Sequence, residues 1–431
     1  MIKSARIMMY SQDSYGLGHL RRATNLANAL VTAHPNLSVL LVVDSPVAPF
    51  FDLQNHIDFV KLPTVVKVGS GVFRASQLLT GYSLVRAMRS NVIREVLRRF
   101  RPDVVLVDHM PGGANRDLIP ALKLIRPLGY ATKVVLGLRD IIDNPSVTRA
   151  MWQRERFYDT LKRYYDRVLI YGSADVFPTA EQYGIRDAVG DRVDYCGYVC
   201  NMDAVKDRRQ IRAKMRVHNG QPLIAVMAGG GADAYRLMQT FLDALPLVAR
   251  AVRVATTMVT GPFMPEAQRK ALREQAKVQG VHIHSSIGDP LSHINAADLV
   301  VSMAGYNTLS EILRFQKNAI IVPRQGPSAE QRMRASILAE RGLVSMVDPQ
   351  DLSAERLAQA IVQALSARAQ PCAHVFPGLA GIAKVTNALL DLLPSGNGSA
   401  EAPRKTVAPT VWPFGRTAQS RPGNGGAHGN R

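Results

Sequence analysis

Short apolar runs alternate with amphipathic stretches along most of this chain. Ala5–Tyr10 (ARIMMY) is an apolar run broken only by Arg6, as a strand buried on both faces should largely be. A polar, glycine-bearing loop follows to His19. Leu20–Val31 then places Leu20, Ala23, Leu26, Ala27 and Leu30 on one helical face, and Leu37–Val43 is a second apolar strand. The alternation continues through a less regular section at 66–82, a basic helix at Ser83–Phe100 and strands at Asp103–Val107 and Lys133–Leu138. One helix over Val147–Tyr164 and a strand at Arg167–Tyr171 complete the set. Strand–helix alternation of this kind predicts a parallel sheet covered on both faces.

The region Cys196–Arg208 breaks the pattern and reads as a linker. The pattern then restarts with a strand at Pro222–Met227, a glycine turn and a helix at about 234–249. Strands at Val252–Val259, Val281–His284, Asp298–Met303 and Asn318–Pro323 follow, with helices at Pro265–Gln279, Thr308–Phe315, Ala354–Leu365 and Leu379–Leu393. The stretch carrying Glu330 and Gln331 reads as a polar loop. From Ser395 onward Gly, Pro, Ser, Ala and Arg dominate, a composition too poor in packable residues to fold.

Composition changes this picture in one respect. The 431 residues carry 53 Lys+Arg against 34 Asp+Glu, a net charge of +19. Such a field favours anionic partners: phosphorylated small molecules, acidic lipid headgroups or nucleic acid. Aromatic content of 6% and the lack of a recognisable binding module argue against nucleic acid. The three cysteines, Cys196, Cys200 and Cys372, lack metal-ligand spacing and read as buried thiols in a reducing compartment. The N-terminus has no signal-peptide pattern, and no apolar run approaches the ~20 residues a membrane span needs. These features predict a cytoplasmic protein, with the inner face of the membrane as a candidate surface.

Candidate chemistry gathers at strand-to-helix turns. Gly16-Leu17-Gly18-His19 puts an imidazole beside a helix N-terminus, where it would either take a proton from a substrate hydroxyl or satisfy backbone groups. Gly229-Gly230-Gly231 has neither a complete G-x-G-x-x-G nor a following Gly-Lys-Ser/Thr. It reads as a tight turn or as backbone N–H groups for a phosphate. Thr308-Leu-Ser-Glu311 has the form of a capping box, so Glu311 either bonds back to its helix start or accepts from a ribose diol. Asp108-His109 and Arg139-Asp140 end strands of the first half and read as acceptor-site groups or as helix-starting and surface residues, with Asp140 a candidate to orient or assist a base. The run Arg86, Arg89, Arg94, Arg98, Arg99 and Arg101, interleaved with Leu84, Val85, Met88, Val92 and Leu97, reads as a solvated face or as a surface for anionic lipid.

Over about residues 222–345 the chain resembles glycosyltransferases of family 28. The resemblance rests on GGGAD, on IGDPLSHINAADLVVSMAGYNTLSEIL, on a strand ending at Pro323 and on Glu330-Gln331. Only the GxGH loop extends it into the first half. The resemblance implies the GT-B arrangement, an α/β fold of two Rossmann-like doubly wound domains facing a central cleft, with a disordered C-terminal tail. Its expected boundaries are 1–197 for the acceptor domain, 198–208 for the linker and 209–375 for the nucleotide-sugar donor domain. A terminal helix at 376–394 would pack back on the first domain, and 395–431 would be a basic tail.

The resemblance further implies inverting transfer of a hexosyl group from a nucleotide-diphosphate sugar, most simply a UDP-sugar, without metal or cofactor. Gly18, Gly229, Gly230, Gly231, Ala304, Gly305, Asn307 and Thr308 would then face the donor, chiefly its diphosphate. Ile287 would lie beside the base, Glu311 at the ribose, and Glu330 and Gln331 at the sugar. His19 would be the base or would position the acceptor, a hydroxyl compound such as a lipid-linked or polysaccharide precursor. Ala329-Glu330-Gln331 stands where the family has an acidic residue, histidine and glutamine, and the glycine loop lacks the usual serine or threonine, so the transferred sugar stays open. A nucleotide-sugar hydrolase or epimerase on the same fold is the competing expectation.

Overall fold

Seven parallel strands form the first sheet, in the spatial order Ile57–Lys61, Leu37–Val43, Ala5–Ser11, Val104–Asp108, Lys133–Arg139, Arg167–Tyr171 and Val193–Tyr195. A second sheet of six parallel strands runs His282–His284, Ala255–Val259, Leu223–Met227, Leu299–Ser302, Asn318–Ile321 and Ser345–Met346. The computed structural model describes residues 4–12, 17–51, 53–69, 72–366 and 378–394. Gly16, Cys372 and the tail from Ser395, all named above, lie outside them.

The near-continuous apolar runs have a direct cause. In Ala5–Ser11, Ile7 and Met9 enter one core with Leu20, Leu26 and Leu30 of the helix Gly18–Ala33. Met8 and Tyr10 enter the opposite core with Ile93, Leu97 and Trp152. Successive side chains of a strand alternate faces, so a strand covered on both sides keeps its middle apolar, and the polar residues of this one, Arg6 and Ser11, fall toward its ends.

Several expected elements take a different form. The single helix over Val147–Tyr164 is two, Pro145–Arg154 and Phe157–Tyr164, broken where Arg156 adopts φ 56°. Glu330 and Gln331 open a helix, Glu330–Glu340, instead of lying in a loop. The helix expected at Thr308 begins two residues earlier and runs Tyr306–Arg314. An antiparallel ribbon, Val65–Gly69 with Val72–Ala75, occupies the less regular section. In the basic helix, which runs Tyr82–Phe100, Arg89 is buried, whereas Arg98 and Arg99 stay at the surface and share Glu95. Cys196 and Cys200 are buried, and burial pushes each thiol up to about 12.

The non-periodic stretch after Cys196 is fastened tightly. Tyr198 N–H donates to the Gly378 carbonyl at 2.6 Å, and Gly381 N–H donates to the Tyr198 carbonyl at 3.1 Å. A Cβ on Gly197 would collide with the Gly378 carbonyl, and one on Gly381 with the Tyr198 backbone. The helix Gly381–Leu390 lies against Gly18–Ala33 in the first half. No helix among the described residues is long and apolar enough to cross a membrane.

Candidate active site

In both sheets the strand order reverses at the strand that starts it. The gap lies between Ala5–Ser11 and Val104–Asp108 in the first sheet, and between Leu223–Met227 and Leu299–Ser302 in the second. Connections leave such a gap toward opposite faces, which opens a crevice at the carboxyl ends of the strands.

The first crevice holds an acid–base group. His19, in the first turn of Gly18–Ala33, brings Nδ1 to 2.7 Å from Oδ2 of Asp108, the last residue of the neighbouring strand. Arg22, one turn further on, donates through one nitrogen to both Asp108 oxygens at 3.0 and 2.7 Å. That nitrogen also lies 2.9 Å from His19 Nδ1. Burial alone would raise the Asp108 carboxyl, but Arg22 and His19 hold it well below the usual carboxylate range. An ionised carboxylate can only accept. Its contact with His19 therefore requires Nδ1–H, which leaves the basic lone pair of the imidazole on Nε2.

His109 follows Asp108 in a left-handed conformation, φ 72°, with its ring centroid 5.4 Å from that of His19. Burial and the nearby charge of Arg139 push its imidazole well below the ordinary value, so it is neutral near pH 7.

The second crevice is lined by backbone. Gly229 and Gly231 take φ 61° and 87°, which a side chain would strain. At Gly231 the constraint is also steric, because an added Cβ would strike the Thr260 carbonyl. A Cβ on Gly261 would in turn strike the Gly229 and Gly230 carbonyls. The helix Tyr306–Arg314 begins beside this loop, with Thr308 Oγ1 within 3.7 Å of where a Gly229 Cβ would stand. Its N-cap is Gly305, and no side chain caps it. The capping box therefore does not form: with the helix starting at Tyr306, Thr308 is already inside the first turn. Uncapped first-turn N–H groups next to a glycine loop make a seat for an anion.

The two crevices meet. Asn307 Nδ2 donates to the Gly18 carbonyl at 3.3 Å, and Arg21 reaches Glu311 Oε1 at 2.5 Å. Burial pushes the Glu311 carboxyl above its ordinary value against the pull of Arg21. Glu330 Oε1 accepts from Arg139 at 2.7 Å and from Arg334 at 3.1 Å. Burial works against this charge too, but Arg139 and Arg334 outweigh it and hold the carboxyl below its usual value. Gln331 Oε1 accepts from Arg324 N–H at 3.2 Å. Ala304 gives its carbonyl to Arg334 at 3.1 Å. Ile287 sits past the end of His282–His284, half-buried against the core.

Asp140 is placed differently from the sequence expectation. It is fully buried and bonded to Arg334 at 3.1 Å and to the Tyr198 hydroxyl at 2.8 Å, and the carboxylate that His19 touches is Asp108. Both acids end strands, and strand order decided between them. Val104–Asp108 neighbours the strand that leads into His19, whereas Lys133–Arg139 is one place further out. The sequence does not single out Arg21, Arg22 or Arg334 as site residues, whereas Arg139 is among its strand-end candidates. Only helical spacing pointed to Arg22, which lies one turn from His19.

Two facing doubly wound sheets, with a glycine-and-helix anion seat opposite an acid–base pair, define a GT-B glycosyltransferase that uses a nucleotide-sugar donor. Residues 224–374 match the glycosyltransferase family 28 C-terminal domain. A Pelobacter propionicus UDP-N-acetylglucosamine–N-acetylmuramyl-(pentapeptide) pyrophosphoryl-undecaprenol N-acetylglucosamine transferase is 33% identical over 291 residues, 64% of this chain and 71% of the relative. The enzyme of the same name from an Exiguobacterium species is 26% identical over 388 residues, 87% of this chain and 96% of the relative. The crystal structure of Acinetobacter baumannii MurG shares the fold, with a TM-score of 0.54 at 17% identity, over 90% of this chain and 99% of that one. The chain belongs to glycosyltransferase family 28.

Proposed function

We propose that the protein transfers a hexosyl group from a UDP-sugar to a hydroxyl of a lipid-linked acceptor, with inversion and without a metal ion. The observation that carries this reading is the tethered pair of crevices, in which the anion seat of Gly229–Gly231 and Gly305–Thr308 faces His19 and Asp108. In the reaction, His19 Nε2 takes the proton of the acceptor hydroxyl as its oxygen attacks C1 of the sugar. The bond from C1 to the diphosphate breaks on the opposite side, and the leaving charge falls on the first-turn N–H groups and the helix dipole. Asp108 stabilises the imidazolium that forms. Residues 1–197 would hold the acceptor and 209–375 the donor, with Ile287 beside the base, Glu311 at the ribose, and Glu330 and Gln331 bordering the sugar. The names of the curated relatives support a UDP-sugar and a pyrophosphoryl-linked lipid.

Glu311→Ala tests the donor half. UDP-sugar affinity, measured by calorimetry, should fall by about 1–3 kcal/mol for the loss of a charged hydrogen bond. Unchanged affinity would assign the carboxylate to Arg21 alone.

A lipid acceptor needs a membrane surface, and the helix Tyr82–Phe100 offers one. Leu84, Met88 and Val92 recur along one exposed stripe, Arg86 and Arg94 are exposed elsewhere on the same helix, and Val68 and Val72 are exposed on the ribbon. Exposed apolar residues on an arginine-bearing helix suit an anionic interface. The protein should sediment with phosphatidylglycerol-rich vesicles and not with phosphatidylcholine alone. Leu84→Glu together with Met88→Glu should abolish that retention, and retention unaffected by the pair would place the surface elsewhere.

A further inference from the structure

We propose that Tyr306 is a positioning residue that couples occupancy of the donor pocket to the alignment of His19 and Asp108. The proposal rests on the base assignment above and adds to it a side chain that the assignment gives no role.

Tyr306 is the first residue of the helix that follows Gly305, so its backbone belongs to the anion seat while its side chain reaches the other half. The ring is 5% exposed. Its hydroxyl donates to the Tyr171 carbonyl at 2.9 Å and accepts from Val199 N–H at 2.9 Å. Tyr171 ends a strand of the first sheet, and Val199 lies on the crossing between the two sheets. The ring of Tyr198 stacks on it with centroids 5.7 Å apart.

Two guanidinium groups lie over the same ring, those of Arg22 and Arg334, each 5.6 Å from its centroid. Arg22 is the residue bonded to Asp108. Arg334 bonds the Ala304 carbonyl, Glu330 and Asp140. One buried ring thus touches the arginine that sets the base and the arginine that braces the donor loop. A cation over an aromatic face is held by the ring's quadrupole, and a close-packed interior passes displacement on instead of absorbing it. A diphosphate drawn to the first-turn N–H groups therefore acts on the residue that fixes Arg22, and through Arg22 on Asp108 and His19.

The test is a double-mutant cycle on the full chain, with kcat and donor KM measured for Tyr306→Leu, Asp108→Asn and the pair. Tyr306→Leu should lower kcat by about tenfold or more while donor KM stays within about threefold, as expected for an interaction used only in the transition state. In the Asp108→Asn background the same substitution should cost little further, because the route it acts through is already cut. Losses that multiply would make Tyr306 an independent structural contact and overturn the proposal.

Should Tyr306→Leu fail to fold, the cycle runs with Tyr306→Phe, which keeps the ring under both guanidinium groups. That variant should retain about half of kcat or more in either background. A severe loss with phenylalanine would put the effect in the two backbone hydrogen bonds and overturn the route through Arg22. If Asp108→Asn alone leaves kcat at the wild-type level, the base assignment itself falls, a result distinct from multiplying losses.

Discussion

Replacing His19 by alanine is expected to lower kcat by about 10²–10⁴-fold, the usual contribution of a positioned general base. UDP affinity should stay near that of the wild type, because the anion seat is built from Gly229–Gly231 and Gly305–Thr308, in the other sheet. The separation is the informative part. Calorimetry with UDP reports chiefly the second sheet, and turnover with donor and acceptor reports both. Asp108 touches the same imidazole nitrogen that Arg22 approaches, so Asp108→Asn should lower kcat less than His19→Ala and in the same direction. Turnover at the wild-type level in His19→Ala would move the base elsewhere, with the neutral and partly strained His109 the next residue to test.

The second large effect concerns stability. Arg89→Met should destabilise the protein by about 3–5 kcal/mol, the cost of leaving buried charge without its partner. Arg89 is 1% exposed and donates to Asp117 at 2.7 Å, to Asp44 at 3.2 Å, to the Pro63 carbonyl at 2.7 Å and to the Tyr10 hydroxyl at 3.2 Å. One cation therefore serves two buried carboxylates and a carbonyl, and it pins Tyr82–Phe100 to the sheet. Burial already pushes the Asp117 carboxyl above its ordinary value even with Arg89 beside it. Without Arg89 that carboxyl would bind its proton more tightly in the folded than in the unfolded chain. A raised folded-state pKa favours the fold at low pH and loses that contribution as pH rises. The deficit of Arg89→Met should thus narrow in acid and widen toward neutral pH in denaturant titrations. A pH-independent deficit would point to lost packing of the arginine stem.

The alternation of apolar and amphipathic segments was enough to read two parallel-sheet halves, because strands buried on both faces leave a near-continuous signature. Helix starts were harder. The helix at Tyr306 was placed two residues late because Thr308 and Glu311 imitate a capping box, while the real N-cap is a glycine with no side chain to read. Glu330–Glu340 was missed as a helix because Glu330 and Arg334 are buried polar residues, so the segment has no clean apolar stripe. At the site, glycines and the histidine were legible from their position after strands. The choice of Asp108 over Asp140 as the partner of His19 was not, since local sequence does not say which strands are neighbours. The pairings of the cross-cleft arginines are hidden for a different reason. Their partners lie far along the chain, as with Arg21 and Glu311 or Arg139 and Glu330.

The seam at Gly197, Gly378 and Gly381 has a practical consequence for recombining this enzyme with its relatives. The chain passes from the first half to the second there and comes back to the first half at the same spot. A chimaera that exchanges the first half therefore has two junctions, not one. Both must come from the same parent, since a Cβ on Gly197 would strike the Gly378 carbonyl and one on Gly381 the Tyr198 backbone.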